Sequence, residues 1–341
     1  MAHDLRPYLD ALEATLRGIF VTPSPELDIF YGMMRYHLGW VDESFQPVAA
    51  PRGKRVRPLI CLLSCEAAGG NWHTALPLAA GLELIHNFSL LHDDIEDASR
   101  TRRHRPTVWA LWGVPQAINT GDAMFSLARR AVLGLADAGV PEPVVLDVVR
   151  CIEDTSLALC QGQHLDIAFE SRAQVSLDSY MRMIEGKTAA LLACAAETGA
   201  LVGGAGEAAT GFRSFGHELG LAFQIIDDIL GIWGDPAVTG KPVADDIRSR
   251  KKTLPILYAQ EQLKSRGDPR LAELFSRPIR RKADIEAVLD CLEEAGARQH
   301  AETLASLHTE RALAALESAA PPSPAREALR DLALRLVARE G

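Results

Sequence analysis

The sequence has few aromatic residues and lacks any signal for export or for crossing a membrane. Only 6% of its 341 residues are Phe, Trp or Tyr. The first residues, Met1-Ala-His-Asp-Leu-Arg, lack the apolar core of a signal peptide. No segment reaches the roughly 18 consecutive apolar residues that a transmembrane helix needs. We therefore expect a cytoplasmic protein with no membrane span.

The cysteine pattern of a zinc site is also absent. Six cysteines are present, and most lie in apolar segments such as Leu192-Ala193-Cys194-Ala195. Such cysteines are typical of small buried side chains in a reducing compartment. Cys61 and Cys65 would share one face of a helix, but no second Cys or His pair accompanies them. We therefore expect no structural zinc.

Excess positive charge is missing as well, since the formal net charge is −9. An acidic chain is a poor general binder of nucleic acid, so we expect no nucleic-acid partner. The basic residues nevertheless cluster within residues 52–57, 100–105 and 248–252. Any one of these clusters is explained by a solvated face. Three of them on an acidic protein indicate a small polyanionic ligand.

Strand-like alternation of apolar and polar residues is absent, and helical spacing takes its place. Leu5, Leu9, Leu12 and Leu16 recur every three to four residues, and similar spacing continues along the chain. Ala and Leu dominate the composition, and both lose little side-chain freedom in a helix. No linker, repeat or low-complexity tract divides the chain. We predict an all-α protein with a single domain over residues 1–341.

The most informative segment is Asp93-Asp94-Ile95-Glu96-Asp97, which closes a long apolar helical pattern. Asp93 and Asp97 are four residues apart, so their carboxylates project from one helix face. Like charges at this spacing destabilise a helix by a few tenths of a kcal/mol. An acidic surface at a helix C-terminus is disfavoured by the helix dipole. A divalent cation offsets both costs, and oxygen ligands beside a phosphate substrate suit Mg²⁺.

A second acidic pair, Asp227-Asp228, follows the apolar run Phe223-Gln224-Ile225-Ile226. Each pair alone is a weak signal, because short acidic patterns are common on surfaces. Here both pairs end apolar helices, and a basic cluster follows each of them. A phosphate group held between two helices through metal ions explains both pairs at once.

These motifs resemble those of the trans-isoprenyl diphosphate synthases, the polyprenyl synthetase family, and most closely those of geranylgeranyl diphosphate synthases. The resemblance extends from about Gly53 to Pro255 and implies an isoprenoid synthase helical bundle with a central active-site cavity. Five motifs occur in the family's order: Gly53-Lys54-Arg55-Val56-Arg57-Pro58; Asp93 to Asp97 with Arg102-Arg103; Gln161-Gly162-Gln163-His164-Leu165-Asp166; Gly186-Lys187-Thr188; and Phe223 to Asp228 with Gly240-Lys241-Pro242 and Lys251-Lys252-Thr253.

The resemblance implies an enzyme that joins an allylic diphosphate to isopentenyl diphosphate with three Mg²⁺ ions. Two ions would bind the first aspartate motif and a third the second; the implied ligands are Asp93, Asp94, Asp97, Asp227 and Asp228. Arg102, Lys187 and Lys241 would contact the allylic diphosphate. Thr188 and Gln224 would line the reacting centre. The implied binding residues for isopentenyl diphosphate are Lys54, Arg57, His86 and Arg103, with Lys251 as a further substrate-binding residue. A homodimer is also implied, and the long apolar helical segment 117–136 offers a face to bury.

Two positions depart from the family pattern. The family usually has a third Asp four residues after the first Asp of its second motif, and this chain has Gly231 there. Asp235 is one residue that would compensate, through a water molecule. The small residue that follows Gly-Lys-Pro-Val in the family is Ala244 here, a milder change.

Product length is expected to depend on Phe88 and Ser89, five and four residues before Asp93. In the family, bulky residues at both positions accompany C15 products. An aromatic residue at only the fifth position, without an insertion in the aspartate motif, resembles C20-forming enzymes. Phe88 as plain core packing is compatible, since the wall of a channel is also core.

Two other functions fit the same fold. A terpene synthase would ionise one prenyl diphosphate and cyclise it, but the full set of isopentenyl diphosphate residues disfavours this. A regulatory subunit of a heteromeric synthase should lose aspartates from the first motif, and this chain keeps all three. Gly231 is the one feature that favours a regulatory role.

Overall fold

The protein is helical over most of its length, in a computed structural model that describes residues 3–48, 50, 53–172, 174–235 and 244–338. The prediction of an all-α chain is confirmed. The helices of the described residues are α1 (Arg6–Ile19), α2 (Asp28–His37), α3 (Val56–Ala67), α4 (Leu76–Glu96), α5 (Val108–Trp112), α6 (Val114–Asp137), α7 (Glu142–Ser171), α8 (Leu177–Ile184), α9 (Ala190–Val202), α10 (Ala209–Trp233), α11 (Asp245–Arg248), α12 (Leu254–Ser265), α13 (Arg270–Phe275), α14 (Lys282–Glu294), α15 (Ala297–Ala319) and α16 (Pro324–Ala338).

The chain divides into two compact units. Unit 1 comprises the described parts of residues 1–153, 195–210 and 320–328. Unit 2 comprises the described parts of residues 154–194, 211–319 and 329–341. The first aspartate motif belongs to unit 1 and the second to unit 2. The single domain over residues 1–341 stays a prediction.

In unit 1, the central helix is α4, which packs against α3 and α6. With the turn before it, Trp72–Glu96 is long and apolar enough to cross a membrane, yet 67% of its apolar stretch is buried inside the protein. It is therefore a core helix, whose side chains are mostly apolar, as in buried helices. Full burial of a side chain such as Leu82 or Leu84 contributes roughly 2 kcal/mol. This packing fixes the end of α4, where the aspartates lie.

A small hairpin follows the first aspartate motif, and the sequence did not predict it. β1 (Thr101–Arg102) pairs antiparallel with β2 (Arg105–Pro106). The two residues between the strands, Arg103 and His104, both have positive φ angles of 51° and 63°. Positive φ at both central positions is the conformation of a type I′ turn. Asn-Gly is the usual sequence for this turn, because longer side chains are strained there.

In unit 2, α10 carries the second aspartate motif on a helix that is anchored by its apolar face. Leu221, Ile225 and Ile229 recur every four residues and belong to one buried apolar cluster with Tyr180 of α8 and Leu257 of α12. Residues at this spacing lie on one side of a helix. Gln224 and Asp227 lie away from that face and remain partly exposed.

Candidate active site

The first aspartate motif occupies the last turn of α4. Asp97 follows the helix directly, and its backbone N–H donates to the carbonyl oxygen of Asp93 at 2.9 Å. Asp93 and Asp97 are therefore one helical turn apart on the same side of α4. Both carboxylates lie at the C-terminal end of the helix, where the helix dipole is also negative. The turn thus concentrates negative charge.

Arg102 of the hairpin binds Asp93 and Asp94, the first two aspartates of the motif. Its Nε donates to Asp94 Oδ1 at 2.8 Å, and its Nη2 donates to Asp93 Oδ2 at 3.1 Å. Both aspartates therefore already share one cationic group, which offsets part of their mutual repulsion. The strained turn at Arg103 and His104 brings Arg102 back to the end of α4.

Asp94 has a buried carboxylate whose negative charge is only partly compensated. Its side chain is 2% exposed, and its Oδ2 atom is buried without a hydrogen-bond partner. Burial raises the pKa of Asp94 to about 6, and the opposing attraction of Arg102 does not cancel this shift. A buried polar atom without a partner typically costs about 1–3 kcal/mol. A cation at Oδ2 would remove that cost, so this motif fits a metal ion bound by oxygen ligands.

Within the described parts of the chain, no group of three or more acidic, His or Cys side chains is arranged to hold an ion by itself. Mg²⁺ usually keeps several waters and binds through one or two carboxylates together with phosphate oxygens of a substrate. The donor set at Asp93 and Asp94 fits such an ion, which a phosphorylated ligand would help to hold.

The basic residues of the motif Gly53–Pro58, around the start of α3, differ in their roles. Arg55 is buried with a left-handed φ of 51°, and its Nη1 donates to Glu83 Oε1 at 2.5 Å. Arg57 is partly buried, and its Nε atom has no hydrogen-bond partner. Burial lowers the pKa of Arg57 to about 10, against the attraction of Glu83. Lys54 is exposed. Arg55 therefore forms a buried ion pair with Glu83, although its Nη2 atom has no hydrogen-bond partner. Lys54 and Arg57 retain donors for a ligand.

Two neutral histidines accompany this positive charge in unit 1. Burial, followed by the charges of Arg57, Arg103 and Arg102, lowers the pKa of His86 well below its usual value. Burial and nearby arginines also lower the pKa of His37 to about 3, and its Nε2 is buried without a hydrogen-bond partner. Neutral imidazole can still donate one hydrogen bond to an anion. The sequence did not single out His37, because it ends α2 outside every motif.

Arg103 lies beside the first basic motif. A Cβ atom added to Gly53 would lie 2.8 Å from Nη2 of Arg103, so the guanidinium covers the backbone next to Lys54. Burial lowers the pKa of Arg103 below its usual value, and Glu83 opposes the shift. The structure therefore brings Arg57, His86 and Arg103 into one cationic cluster that an anion would stabilise.

Arg105, by contrast, holds the hairpin in place. It donates to the carbonyl oxygens of Tyr36 at 3.1 Å and Val41 at 2.7 Å, and its guanidinium stacks over the Tyr36 ring at 3.9 Å. Tyr36 in turn donates to the carbonyl oxygen of Pro106 at 2.8 Å. These contacts anchor β2 to α2 and to Val41, and the pairing of β1 with β2 then positions Arg102.

In unit 2, two glycines allow α7 to touch the turn that carries Lys187. That turn, Glu185–Ala189, is π-helical, a form that often occurs at functional sites. A Cβ atom on Gly162 would overlap the backbone nitrogen of Lys187, and one on Gly186 would lie 2.7 Å from the carbonyl oxygen of Ala158. The close approach places Lys187 Nζ 2.5 Å from Asp166 Oδ2. Asp166 was part of a predicted motif but had no assigned role.

A chain of hydrogen bonds fixes the second aspartate motif. Thr188 donates to Gln224 Oε1 at 2.8 Å, and Gln224 Nε2 donates to Asp228 Oδ1 at 3.1 Å. Asp228 also accepts from the hydroxyl of Tyr180 and from the backbone N–H of Leu254 at 2.9 Å. Burial raises the pKa of Asp228 to about 6. Asp228 therefore also has a structural role, tying α10 to α8 and α12, whereas Asp227 is partly exposed.

Lys251 is influenced by the negative charge of several carboxylates in unit 2. Its side chain reaches solvent, yet it lies deep enough among protein atoms that burial alone would lower its pKa. The charges of Asp228, Asp166, Asp246 and Asp227 outweigh burial and raise the pKa of Lys251 overall. The four carboxylates therefore act electrostatically on one ammonium group. Lys241, with the motif Gly240-Lys241-Pro242, lies outside the described residues.

Phe88 and Ser89 differ in their packing. Phe88 is 8% exposed, and its ring centre lies 4.5 Å from that of Phe125 on α6 and 5.8 Å from that of His92. Ser89 is partly exposed and donates to the carbonyl oxygen of His86 at 2.8 Å. Phe125 was missed by the sequence analysis, because its distance from Phe88 in the chain hides their contact.

Comparison with known proteins agrees with these features. The model of the polyprenyl synthetase family matches residues 39–292. The chain is 43% identical over 312 residues to a (2E,6E)-farnesyl diphosphate synthase of Mycobacterium tuberculosis, covering 90% of this chain and 86% of that protein. It is also 43% identical over 289 residues to a geranylgeranyl diphosphate synthase of that species, covering 84% and 81%. The solved structure of geranylgeranyl pyrophosphate synthetase from Pyrococcus horikoshii matches with a TM-score of 0.87 at 36% identity, covering 98% of this chain and 97% of that one.

Proposed function

Because this chain belongs to the polyprenyl synthetase family and is a trans-prenyl diphosphate synthase, we propose that it forms the C20 product geranylgeranyl diphosphate. The substrates are an allylic diphosphate (dimethylallyl, geranyl or farnesyl) and isopentenyl diphosphate. Relatives named for C15 and for C20 products share the same 43% identity with this chain, so overall similarity does not decide product length. The observation that carries the proposal is large, buried Phe88 next to small Ser89.

The proposed metal ligands are the acidic residues of the two motifs. Asp93, Asp94 and Asp97 in unit 1, and Asp227 and Asp228 in unit 2, would hold three Mg²⁺ ions in all. Bound Mg²⁺ supplies positive charge that stabilises a departing diphosphate. The orphaned Oδ2 atom of Asp94 supports this assignment in unit 1.

Three cationic side chains are proposed to act on the allylic diphosphate. Arg102, Lys187 and Lys241 would add positive charge as the C1–O bond breaks and the diphosphate leaves with the bonding electrons. A group that is already held in place costs no reorganisation at that moment. Asp166 holds Lys187 in this way, and the two aspartates hold Arg102.

The cationic cluster of unit 1 is proposed to hold isopentenyl diphosphate. Lys54, Arg57 and Arg103 would pair with its diphosphate, and neutral His86 would donate a hydrogen bond. The double bond of this substrate then attacks C1 of the allylic cation, and the released diphosphate takes the proton that is lost. Lys251 is proposed as a further substrate-binding residue in unit 2.

Thr188 and Gln224 are proposed to line the reacting centre. Because the hydroxyl of Thr188 donates to Gln224 Oε1, the amide is fixed with its oxygen towards Thr188 and its nitrogen towards Asp228. A fixed amide dipole stabilises nearby charge without having to reorient. The apolar faces of the surrounding helices would exclude water, which would otherwise quench the cation.

One assay tests the proposed function against its alternatives. The purified protein is incubated with Mg²⁺, labelled isopentenyl diphosphate and each allylic diphosphate, and the products are separated by length. We expect labelled C20 diphosphate as the main product. A main product of C15 would overturn the assigned length. A cyclised product formed without isopentenyl diphosphate would indicate a terpene synthase, and inactivity without a second chain would indicate a regulatory subunit.

Lys54→Ala and Arg57→Ala are each expected to raise KM for isopentenyl diphosphate far more than KM for the allylic substrate. Loss of one charge-assisted hydrogen bond costs on the order of 1.5–3 kcal/mol. That cost corresponds to a rise in KM of about 10- to 100-fold. Steady-state kinetics with each substrate varied in turn measures both constants.

Arg100→Ala is the matched control for these two variants. Arg100 is an exposed cation whose guanidinium lies 5.6 Å from the ring centre of Trp109. Its removal should leave both KM values close to those of the unchanged protein. Equal rises for both substrates in Lys54→Ala or Arg57→Ala would show that the two diphosphate sites are wrongly assigned.

A homodimer is the proposed assembly. In unit 1, Ile118 and Leu133 on α6 and Leu146 on α7 are 44%, 57% and 50% exposed. Large apolar side chains exposed on a long helix are candidates for burial at an interface. Light scattering at micromolar concentration should report twice the 37.0 kDa chain mass.

Leu133→Glu should shift this equilibrium towards monomer, because it buries a charge in the proposed interface. Leu307→Glu changes an apolar residue that is 39% exposed in unit 2 and should leave the mass unchanged. A monomeric mass for the unaltered chain would refute the dimer.

A further inference from the structure

The hydroxyl of Tyr180 on α8 is a buried polar group to which the proposed reaction assigns no role. The Tyr180 side chain is 1% exposed, and its ring belongs to the apolar cluster that anchors α10. Its hydroxyl donates to Oδ2 of Asp228. A Phe at this position would bury the same ring without a polar atom, and burial of a hydroxyl is costly unless it is hydrogen-bonded. The bond to Asp228 is therefore what distinguishes Tyr from Phe here.

The carboxylate of Asp228 is fixed by two donors at one oxygen. Its Oδ2 accepts from the hydroxyl of Tyr180 and from the backbone N–H of Leu254, the latter at 2.9 Å. Leu254 is the first residue of α12, where the helix dipole also favours a carboxylate. Asp228 is 2% exposed, so water is not at hand to replace a lost donor. With Oδ2 held from two sides, the direction of Oδ1 is fixed as well.

The fixed Oδ1 atom in turn sets the orientation of the Gln224 amide. Gln224 Nε2 donates to Oδ1 of Asp228 at 3.1 Å. Because an ionised carboxylate only accepts hydrogen bonds, the amide nitrogen of Gln224 must face Asp228. The amide oxygen then faces the other way, where the hydroxyl of Thr188 donates to it at 2.8 Å. The direction of the Gln224 dipole therefore depends on the Asp228 carboxylate and, through it, on Tyr180.

The same junction joins three segments that carry proposed site residues. α8 continues directly into the π-helical turn, α10 carries the second aspartate motif, and the segment before α12 ends at the backbone N–H that Asp228 binds. The proposed site residues on these segments are Lys187, Gln224 and Lys251. A misplacement of about 1 Å among groups at a reacting centre can cost about 10²-fold in rate. A loosened junction is therefore expected to affect the chemical step.

We propose that Tyr180 is a positioning residue for prenyl transfer, which acts through Asp228 to hold the amide of Gln224 in its working direction. The inference rests on the proposed function, because Gln224 lines the reacting centre of that reaction. The ring of Tyr180 is buried in the apolar cluster and its hydroxyl is engaged by Asp228, so its effect passes through these side chains to the substrate. Loss of the hydroxyl should slow the chemical step and leave the binding of isopentenyl diphosphate unchanged.

Tyr180→Phe in the full chain removes only the hydroxyl and keeps the buried ring. The rate is measured in single turnovers with labelled substrates and saturating Mg²⁺, because single turnovers separate the chemical step from product release. We expect a rate about 10- to 100-fold lower than that of the unaltered chain. KM for isopentenyl diphosphate should stay within about twofold, and thermal unfolding establishes that the variant is folded at the assay temperature.

Tyr258→Phe is the matched control in unit 2. Tyr258 is a partly buried tyrosine of α12 whose ring stacks on that of His300, with 3.8 Å between the ring centres. Its replacement removes a hydroxyl from the same unit without touching the bonds of Asp228. The single-turnover rate of this variant should match that of the unaltered chain.

A second substitution, Gln224→Met, tests whether Tyr180 acts through Gln224. Met keeps much of the side-chain length and removes the amide. Loss of one fixed dipole costs about 10²- to 10³-fold in rate, which labelled single turnovers can still measure. Tyr180→Phe added to Gln224→Met should slow the reaction by less than about a further twofold, because the amide that it positions is gone. A purely structural role of the hydroxyl would instead multiply the two effects.

The outcomes separate this inference from the proposed function. A folded Tyr180→Phe protein with the rate of the unaltered chain overturns the inference, and so does full multiplication of the two effects in the double variant. Unfolding of Tyr180→Phe at the assay temperature, or a rise in KM for isopentenyl diphosphate as large as the fall in rate, assigns the hydroxyl to general stability and also overturns it. A normal rate for Gln224→Met refutes the role of Gln224 and the inference with it. If the unaltered chain makes no prenyl diphosphate, the proposed function itself fails.

Discussion

Asp93→Ala and Asp97→Ala are each expected to reduce prenyl transfer by at least about 10³-fold while the chain stays folded. Electrostatic stabilisation of a leaving group is commonly the main source of rate enhancement, and loss of a single donor already costs about 10²- to 10³-fold. Removal of a metal-binding carboxylate affects every contact that the ion makes. The measurement is the rate of labelled product formation at saturating Mg²⁺ and substrates.

The expected effect on stability is small. Asp93 and Arg102 are 20% and 28% exposed, and partly exposed ion pairs of this kind contribute about 1 kcal/mol or less. Asp97 lies beyond the last residue of α4 and has an exposed side chain. Thermal unfolding should therefore change little in either variant.

Glu96→Ala is the matched control within the same motif. Glu96 is also acidic and exposed at the end of α4, but it has no assigned role in metal binding. Its replacement should leave activity within a few-fold of the unaltered protein. Near-normal turnover by Asp93→Ala or Asp97→Ala would show that the first motif is not the metal site.

Local sequence patterns predicted the helices and the spacing of the aspartates. Helical periodicity and the four-residue separation of Asp93 and Asp97 depend only on near neighbours in the chain, so they can be derived from the sequence. The hairpin after the motif could not be derived in this way. Arg103 and His104 adopt a turn normally made by Asn-Gly, and contacts of Arg105 with Tyr36 and Val41 impose it.

The different roles of the basic residues also could not be predicted without the fold. Arg55 and Arg57 are two residues apart in one motif, and nothing local distinguishes them. Glu83 distinguishes them from 28 positions away by pairing with Arg55. The sequence analysis also missed His37 and the packing of Asp246 at Gly231, because both depend on contacts between separate parts of the chain.

The second prediction with a large effect concerns product length. If the growing chain runs along α4 below Asp93, residues four and five before Asp93 lie about one helical turn beneath the reacting end. Ser89→Phe should then shorten the main product towards C15, because a ring at this partly exposed position would collide with the tail. The mutation adds volume where Ser89 now makes only a local bond to the carbonyl oxygen of His86.

Phe88→Ala should lengthen the product beyond C20, because it opens a void below the tail. The structure adds a second barrier, since the ring of Phe125 lies directly against Phe88. Phe125 is supported by Arg129, whose guanidinium lies 4.0 Å from its ring centre and which is paired with Glu153. Phe88→Ala combined with Phe125→Ala should therefore lengthen the product further than Phe88→Ala alone.

The stability of each variant must be measured before its product length. Truncation of a buried Phe typically costs ~3–5 kcal/mol, so each variant must first be shown to be folded at the assay temperature. Leu82→Ala, a truncation of a fully buried residue elsewhere on α4, is the matched control; it should lose stability without changing product length.

Product lengths of the folded variants are then compared with the same allylic primer. The steric model requires the order Ser89→Phe, unaltered chain, Phe88→Ala, double variant, from shortest to longest. If the folded variants all make the product of the unaltered chain, Phe88 is only core packing, and the C20 assignment loses the observation on which it rests.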